Sequence, residues 1–414
     1  MNSDRQMPAR VPQRKNDKNG DELGILGYGC MRFRRKHGTI DLKTAERQLM
    51  SAIDAGVNYL DTAYLYTGSE KALGEILSQS DDGKTRRSRV KIATKLPHMM
   101  VKSKSDISRI FNASLKRLQT DHIEYYLIHN IMKMSDWERM KELGIQDFID
   151  ENKANGTIKN IGFSAHSSLF DFKSVIDDYD WDFCQIQYNY VDENFQAGVQ
   201  GLKYAAKKGI PVVVMEPLRG GMLINKLPPA AGKIIDEYRD SSGKKRSPAE
   251  WALRWLWNQP EVSLVLSGMN EDEQITENIN VASESTPGCM SDDDLAMIES
   301  VKNVLKKEIQ IDCTGCAYCM PCPYGVDIPQ CFSLYNAKKI FKGGISADFR
   351  YLFNTAGGKK LKPGWASACK KCGACEKKCP QKLPIVDDLD IVAHSMEHWW
   401  SKPIGNLIRK VLKR

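Results

Sequence analysis

The stretch VNYLDTAYLYTGSE, residues 57–70, decides how the chain folds. Its first half, VNYLDTA (57–63), is an apolar run of strand length with an aspartate near its end. Directly before it lies TAERQLMSAIDAG (44–56), whose apolar residues recur at helical spacing and stop at a glycine. Helix, glycine, strand and polar loop make a unit that can repeat, and outward from 57–70 it does. The strand-like runs are ILGYGCM (25–31), VNYLDTA, VKIATKL (90–96), IEYYLIHN (123–130), IGFSAH (161–166), FCQIQYN (183–189), PVVVMEP (211–217) and VSLVLSG (262–268). Helical segments such as SDISRIFNASLKRL, SDWERMKELGIQDFIDENKANG and PAEWALRWLWNQP alternate with them. Eight such alternations predict a parallel (β/α)8 TIM barrel over residues 21–290. A doubly wound open sheet competes, but GILGYG lacks the spacing of a dinucleotide fingerprint. Trp251 and Trp255, four apart on one helix face, read as packing against the barrel.

The chain of 414 residues exceeds one average domain, and 42% hydrophobic with 27% charged residues is a globular composition. No apolar run is long enough to cross a bilayer, and the polar opening MNSDRQMPARVPQRKNDKNGDE has no signal-type core, so the expected address is cytoplasmic. The net charge of +8 gathers in the two ends, where bases do not interleave with aromatic residues; no nucleic-acid partner is expected. Residues 1–20 read as a flexible basic tail, 291–312 as a linking helix, 313–390 as a cysteine-rich domain and 391–414 as a basic amphipathic tail. The last segment, IGNLIRKVLKR, suits contact with an acidic partner or membrane surface, or simple solvation.

Eight of the twelve cysteines fall in two groups: Cys313, Cys316, Cys319 and Cys322, then Cys369, Cys372, Cys375 and Cys379. In a chain without a secretion signal, such grouping points to metal rather than disulfides. Zinc held by four thiolates uses similar CxxC pairs. Three cysteines at successive x2 spacings, with a fourth before proline in each group, favour iron–sulfur cubanes. Residues 313–390 resemble a two-cluster 4Fe-4S ferredoxin, implying a small domain, mostly helical and irregular. The resemblance implies that Cys313, Cys316, Cys319 and Cys379 hold one cluster, and Cys369, Cys372, Cys375 and Cys322 the other. The first group departs in having two residues before its last cysteine. Cys30, Cys184, Cys289 and Cys331 lie outside the pattern and read as buried or incidental thiols.

In a barrel the chemistry sits at the C-terminal ends of strands. Asp61, Lys95 and His129 end the second, third and fourth runs, and Tyr66 lies in the loop after the second. Singly, each has an ordinary explanation as a turn cap, a solvated cation or a core histidine; together they bring an acid, a cation, a phenol and an imidazole to one rim. The stretches LGYGCMR, NYLDTAYLYTGSE, KIATKL, YYLIHN, IGFSAHS, QIQYN and SGMNEDEQITEN resemble the aldo/keto reductase family over residues 24–283. The resemblance implies reduction of a small carbonyl substrate by hydride from NADP or NAD. Physically, a phenol can protonate the developing alkoxide if a neighbouring ammonium lowers its pKa, so Lys95 would activate Tyr66, Asp61 would hold Lys95, and His129 would orient the carbonyl.

The same resemblance implies nucleotide contacts at Ser164 and Gln185 for the carboxamide, at Pro217, Leu218, Arg219 and Gly220 for the pyrophosphate, and at Gly268, Gln274, Glu277 and Asn278 for the adenine side. Met215 stands where an aromatic residue commonly stacks on the nicotinamide. Ala165 and His166 follow Ser164 where an asparagine is common. Asn270, Glu271, Asp272 and Glu273 replace the bases expected beside a 2′-phosphate, which sets NAD against NADP. RFRRKHG (32–38) puts cations near the mouth, for an acidic substrate or as a solvated loop. Three functions compete: a carbonyl reductase carrying two clusters for electron transfer or structure; an electron-transfer protein whose barrel binds a redox partner or flavin; and a redox-sensing nucleotide binder.

Overall fold

The computed structural model describes residues 9–405 except 17, 82, 314, 316, 317, 356–362 and 402. Eight parallel strands close into a barrel: β1 Leu26–Gly29, β2 Tyr59–Asp61, β3 Lys91–Pro97, β4 Ile123–Ile131, β5 Ile158–Ala165, β6 Phe183–Gln187, β7 Val212–Met215 and β8 Val262–Ser267. All eight lie where the apolar runs predict them. Strand parity then decides which side chains meet on the axis. Tyr59, Ala93, Tyr125, Leu127, Phe183, Val213, Leu264 and Leu266 fill the interior, with the Tyr125 ring 5.1 Å from Tyr59 and 5.0 Å from Phe183. On β5 the inward place belongs to Gly162, where a β-carbon would stand 2.6 Å from the Phe183 ring. Two residues further along, the same parity turns Asp61, Lys95, His129, Ser164 and Gln185 inward at the C-terminal mouth.

Helices pack their apolar faces on the outside of the strands, and Trp251 and Trp255 are buried there as expected, Trp255 lying 5.2 Å from the Tyr188 ring. Three boundaries differ from the sequence reading. The run SDWERMKELGIQDFIDENKANG is two helices, Met134–Glu142 and Ile145–Ala154, broken at Gly144 with φ 79°. Within the segment expected to be a flexible tail, Gln13–Lys15 pairs antiparallel with Glu22–Gly24 and Val11 is buried. This hairpin is tied to the barrel floor by Asp21, which accepts from Tyr125 Oη at 2.6 Å. The segment's polar composition carries no strand signal, and its anchors, Ala55 for Val11 N and Tyr125 for Asp21, are remote in sequence.

The linking helix is Asp292–Lys307, opened by a Ser291 cap. Its Asp294 is buried and accepts from Tyr238 Oη at 2.7 Å, Lys244 Nζ at 2.6 Å and Arg246 at 3.3 Å. Beyond it, helices Ile328–Ile340, Ile345–Thr355 and Ile385–Met396 enclose a second core. That core includes Val392 and Met396, with Trp400 and Ile404 packed on it, so the domain runs past the boundary expected at 390. Residues 406–414, the last part of the expected amphipathic tail, lie outside the described residues. No helix among the described residues is long and apolar enough to cross a membrane. Ile340 and Phe341 join the barrel's core rather than their own domain's.

Candidate active site and cysteine cavities

At the mouth, Lys95 Nζ lies 2.6 Å from both carboxylate oxygens of Asp61 and donates to Thr62 O at 2.8 Å. Both residues are almost wholly buried, at 1% and 4% exposure. Register sets this up: Asp61 stands beside Ala93, one inward step below Lys95. Above the pair, Lys95 Nζ is 5.1 Å from the Tyr66 ring centre, and the Tyr66 and His129 rings meet edge-on at 6.0 Å. The four residues expected on one rim are thus together. Burial opposes the charge on Lys95, but Asp61 keeps the amine above its usual value.

Two electrostatic details depart from expectation. Burial holds the Tyr66 phenol above its ordinary value; Lys95 pulls it down and Asp61 pushes it up. The net direction is therefore upward, opposite to the lowering expected from the amine alone, because desolvation of the phenolate outweighs the attraction. Such a phenol stays protonated at neutral pH. Burial, with Lys95 adding to it, drives His129 well below the ordinary imidazole value, so the ring is neutral.

The remaining predicted contacts divide. Ser164 Oγ accepts from the backbone N–H of Asn130 at 2.9 Å. Gln185 reaches Asp61, yet its Oε1, like His129 Nδ1 and Asn130 Oδ1, is buried with no hydrogen-bond partner among the described residues. Met215 packs on the interior layer, Pro217 is buried, and Leu218 packs on the outer core. Arg219, expected at a pyrophosphate, is 6% exposed, pairs with Asp192 at 3.3 Å and stacks 4.9 Å from the Phe341 ring. Gly268 leaves room for Arg32, whose Cδ would be 3.0 Å from a β-carbon there. Gln274 accepts from Asn270 N at 3.1 Å, Glu277 from the Ser247 hydroxyl, and buried Asn278 donates to Ser267 at 2.9 Å. Glu277 and Asn278 thus brace the helix against its neighbours.

In the C-terminal domain the two cysteine groups interlock. One cavity of about 460 Å³ is lined by Cys322 with Cys369, Cys372 and Cys375, together with Cys319. A second, of about 320 Å³, is lined by Cys313, Cys319 and Cys379. Cys316 lies outside the described residues. The last cysteine of each run therefore faces the other run's cavity. Cys30, Cys184 and Cys331 are buried away from both, and Cys289 is half-buried.

The family model for aldo/keto reductases matches residues 25–303. The chain belongs to the aldo/keto reductase family. A 4Fe-4S dicluster domain model matches residues 312–383 of this aldo/keto reductase. The uncharacterized oxidoreductase YrpG of Bacillus subtilis is 28% identical over 293 residues, covering 62% of this chain and 85% of its own. D-galacturonate reductase of Fragaria ananassa is also 28% identical over 293 residues, covering 66% of this chain and 87% of its own. The holo form of aldo-keto reductase AKR11C1 from Bacillus halodurans shares the fold with a TM-score of 0.56 at 24% identity, over 70% of this chain and 96% of that one.

Sequence reading missed three residues of this aldo/keto reductase site. Asn130 directly follows His129, has a positive φ of 62° and buries its Oδ1 without a partner among the described residues. Its position beside a strand-end histidine was the available signal. Asp192 also accepts from Gln187 and Asn189, both at 2.9 Å, and so ties the ends of two strand loops together. Phe341 reaches the barrel from another domain, and no local pattern marks it.

Proposed function

We propose that this aldo/keto reductase reduces the carbonyl group of an aldehyde, ketone or quinone, with a nicotinamide nucleotide as its donor. The observation that carries the reading is the buried Lys95–Asp61 pair beneath Tyr66, facing a neutral His129. A bound nicotinamide supplies the hydride. Tyr66, protonated throughout the neutral range, gives the proton to the carbonyl oxygen, and Lys95 stabilises the phenolate left behind. Asp61 keeps the amine charged and fixed. His129 orients the carbonyl and, being neutral, adds no charge of its own. Gln185 Oε1 and Asn130 Oδ1 are buried acceptors without partners among the described residues, which a carboxamide N–H₂ would satisfy. Asn130 thereby supplies the amide that the sequence lacks after Ser164.

The eight cysteines would hold two 4Fe-4S clusters, supplying one-electron transfer or a structural centre, with Cys322 and Cys379 exchanged between runs. The interlocked cavities support that partition. The nucleotide's identity turns on the acidic segment after β8. There Arg47 pairs with Asp272 at 2.7 Å and Arg34 with Glu271 at 3.5 Å, so part of the charge expected to repel a 2′-phosphate is already neutralised.

The test is anaerobic oxidation of NADH and NADPH against aldehydes and quinones, with Tyr66→Phe beside the wild type. Loss of the proton donor should lower kcat by about 10²–10⁴ while leaving nucleotide binding intact. Equal rates in the two proteins would remove the reading. A second reading, electron exchange with a redox partner, draws support from the exposed Cys372 on the wall of the larger cavity. Turnover with one-electron acceptors alone would favour it.

A further inference from the structure

The loop after β7 turns through two glycines of positive φ, Gly220 at 69° and Gly221 at 89°. A β-carbon on Gly220 would stand 3.1 Å from Arg32 Nη2 and 3.8 Å from Arg350 Nη2, so the two cationic ends are no further apart than those distances together. Arg32 comes from the turn Cys30–Arg32 after β1; Arg350 comes from the C-terminal helix Ile345–Thr355, anchored by buried Tyr351 and Leu352. Arg350 Nη1 also reaches Met222 Sδ at 3.8 Å. Among the described residues neither guanidinium pairs with a carboxylate, whereas Arg34 and Arg219 nearby each have one, Glu271 and Asp192. Two like charges held together without a counter-charge are a site for an anion.

We propose that Arg32 and Arg350 clamp the diphosphate of the dinucleotide across the domain boundary, so that the C-terminal domain completes the barrel's cofactor site. The proposal rests on the nicotinamide reading above. Arg219, the loop's own arginine, is committed to Asp192 and Phe341. It fixes the loop, and the clamp takes over the charge that the anion requires. Planar guanidiniums suit this role because each offers a fork of donors to phosphate oxygens. A carboxylate on an acidic substrate would present the same oxyanion chemistry, and the experiment separates the two.

The full-length protein, prepared anaerobically with its iron, is titrated with NADH and NADPH by fluorescence, with inorganic pyrophosphate as competitor. Arg350→Ala should weaken dinucleotide and pyrophosphate binding roughly ten-fold, the loss of one charge-assisted contact. Arg350→Lys should recover part of it, with KM for an uncharged aldehyde and the iron content unchanged. Unaltered dinucleotide affinity in Arg350→Ala would overturn the clamp while leaving the nicotinamide reading intact. So would an effect confined to KM for acidic aldehydes, which assigns the arginines to substrate. A wild type that takes up no dinucleotide would end the nicotinamide reading and the clamp with it.

Discussion

The barrel and the C-terminal domain solve the same stability problem differently. The barrel buries two layers of apolar side chains, an interior lining and a continuous outer core under its helices. The C-terminal domain's own core is a cluster of fourteen buried side chains among the described residues, with cysteines packed on them where a larger core would place leucines. A core so small leaves little surplus over the entropy of ordering the chain. The lesson is that the two halves should respond oppositely to loss of metal and to loss of charge pairing.

Stripping iron by a chelator under reducing conditions should have the largest effect. Structural metal contributes on the order of 10 kcal/mol in small domains, so helices Ile328–Ile340, Ile345–Thr355 and Ile385–Met396 should lose protection from hydrogen exchange while the barrel strands keep theirs. Simultaneous loss in both regions would break the contrast. Next comes Lys95→Met, which leaves the Asp61 carboxylate buried without its partner. It should destabilise the barrel by about 3–5 kcal/mol in denaturant titrations, and adding Asp61→Asn should restore most of that. An unchanged midpoint would mean that the pair is not charged.

The smallest effect sharpens the comparison at the seam. Burial pushes the Asp294 carboxyl up, but bonds from Lys244, Tyr238 and the Ser291 N–H outweigh it and bring it down to about 2 from 3.8. A depressed carboxyl stabilises the folded state above its unfolded value, and that contribution disappears as pH falls from about 4 to 2. Asp294→Asn should therefore cost roughly 2 kcal/mol at neutral pH, and mutant and wild-type stabilities should converge at acid pH. A constant difference across that window would assign the effect to packing alone.

Much of this molecule is legible residue by residue. The eight strands announce themselves because a strand buried on both faces must be a short apolar run, and several of the runs carry a polar residue at or near their C-terminal ends, where the mouth lies. Asp61, Lys95 and His129 were readable for that reason. The upward shift of Tyr66 was not, since a neighbouring ammonium is visible in sequence whereas the depth of burial is not. The Gly144 break between two helices was masked by a continuous helical pattern on either side. The domain's extension past 390 escaped notice because Val392 and Met396 read as part of an amphipathic tail until their partners are known.

The sequence by itself determined the order of the strands, the gathering of Asp61, Tyr66, Lys95 and His129 at one rim and the two cysteine runs, because each depends on local spacing: parity along a strand, or two residues between thiols. Only the tertiary structure decided that Arg219 is consumed by Asp192 and Phe341, and that Arg32 and Arg350 both approach Gly220. Those facts join segments far apart along the chain, and the packing of one domain against another is set by summed contacts that no single segment carries.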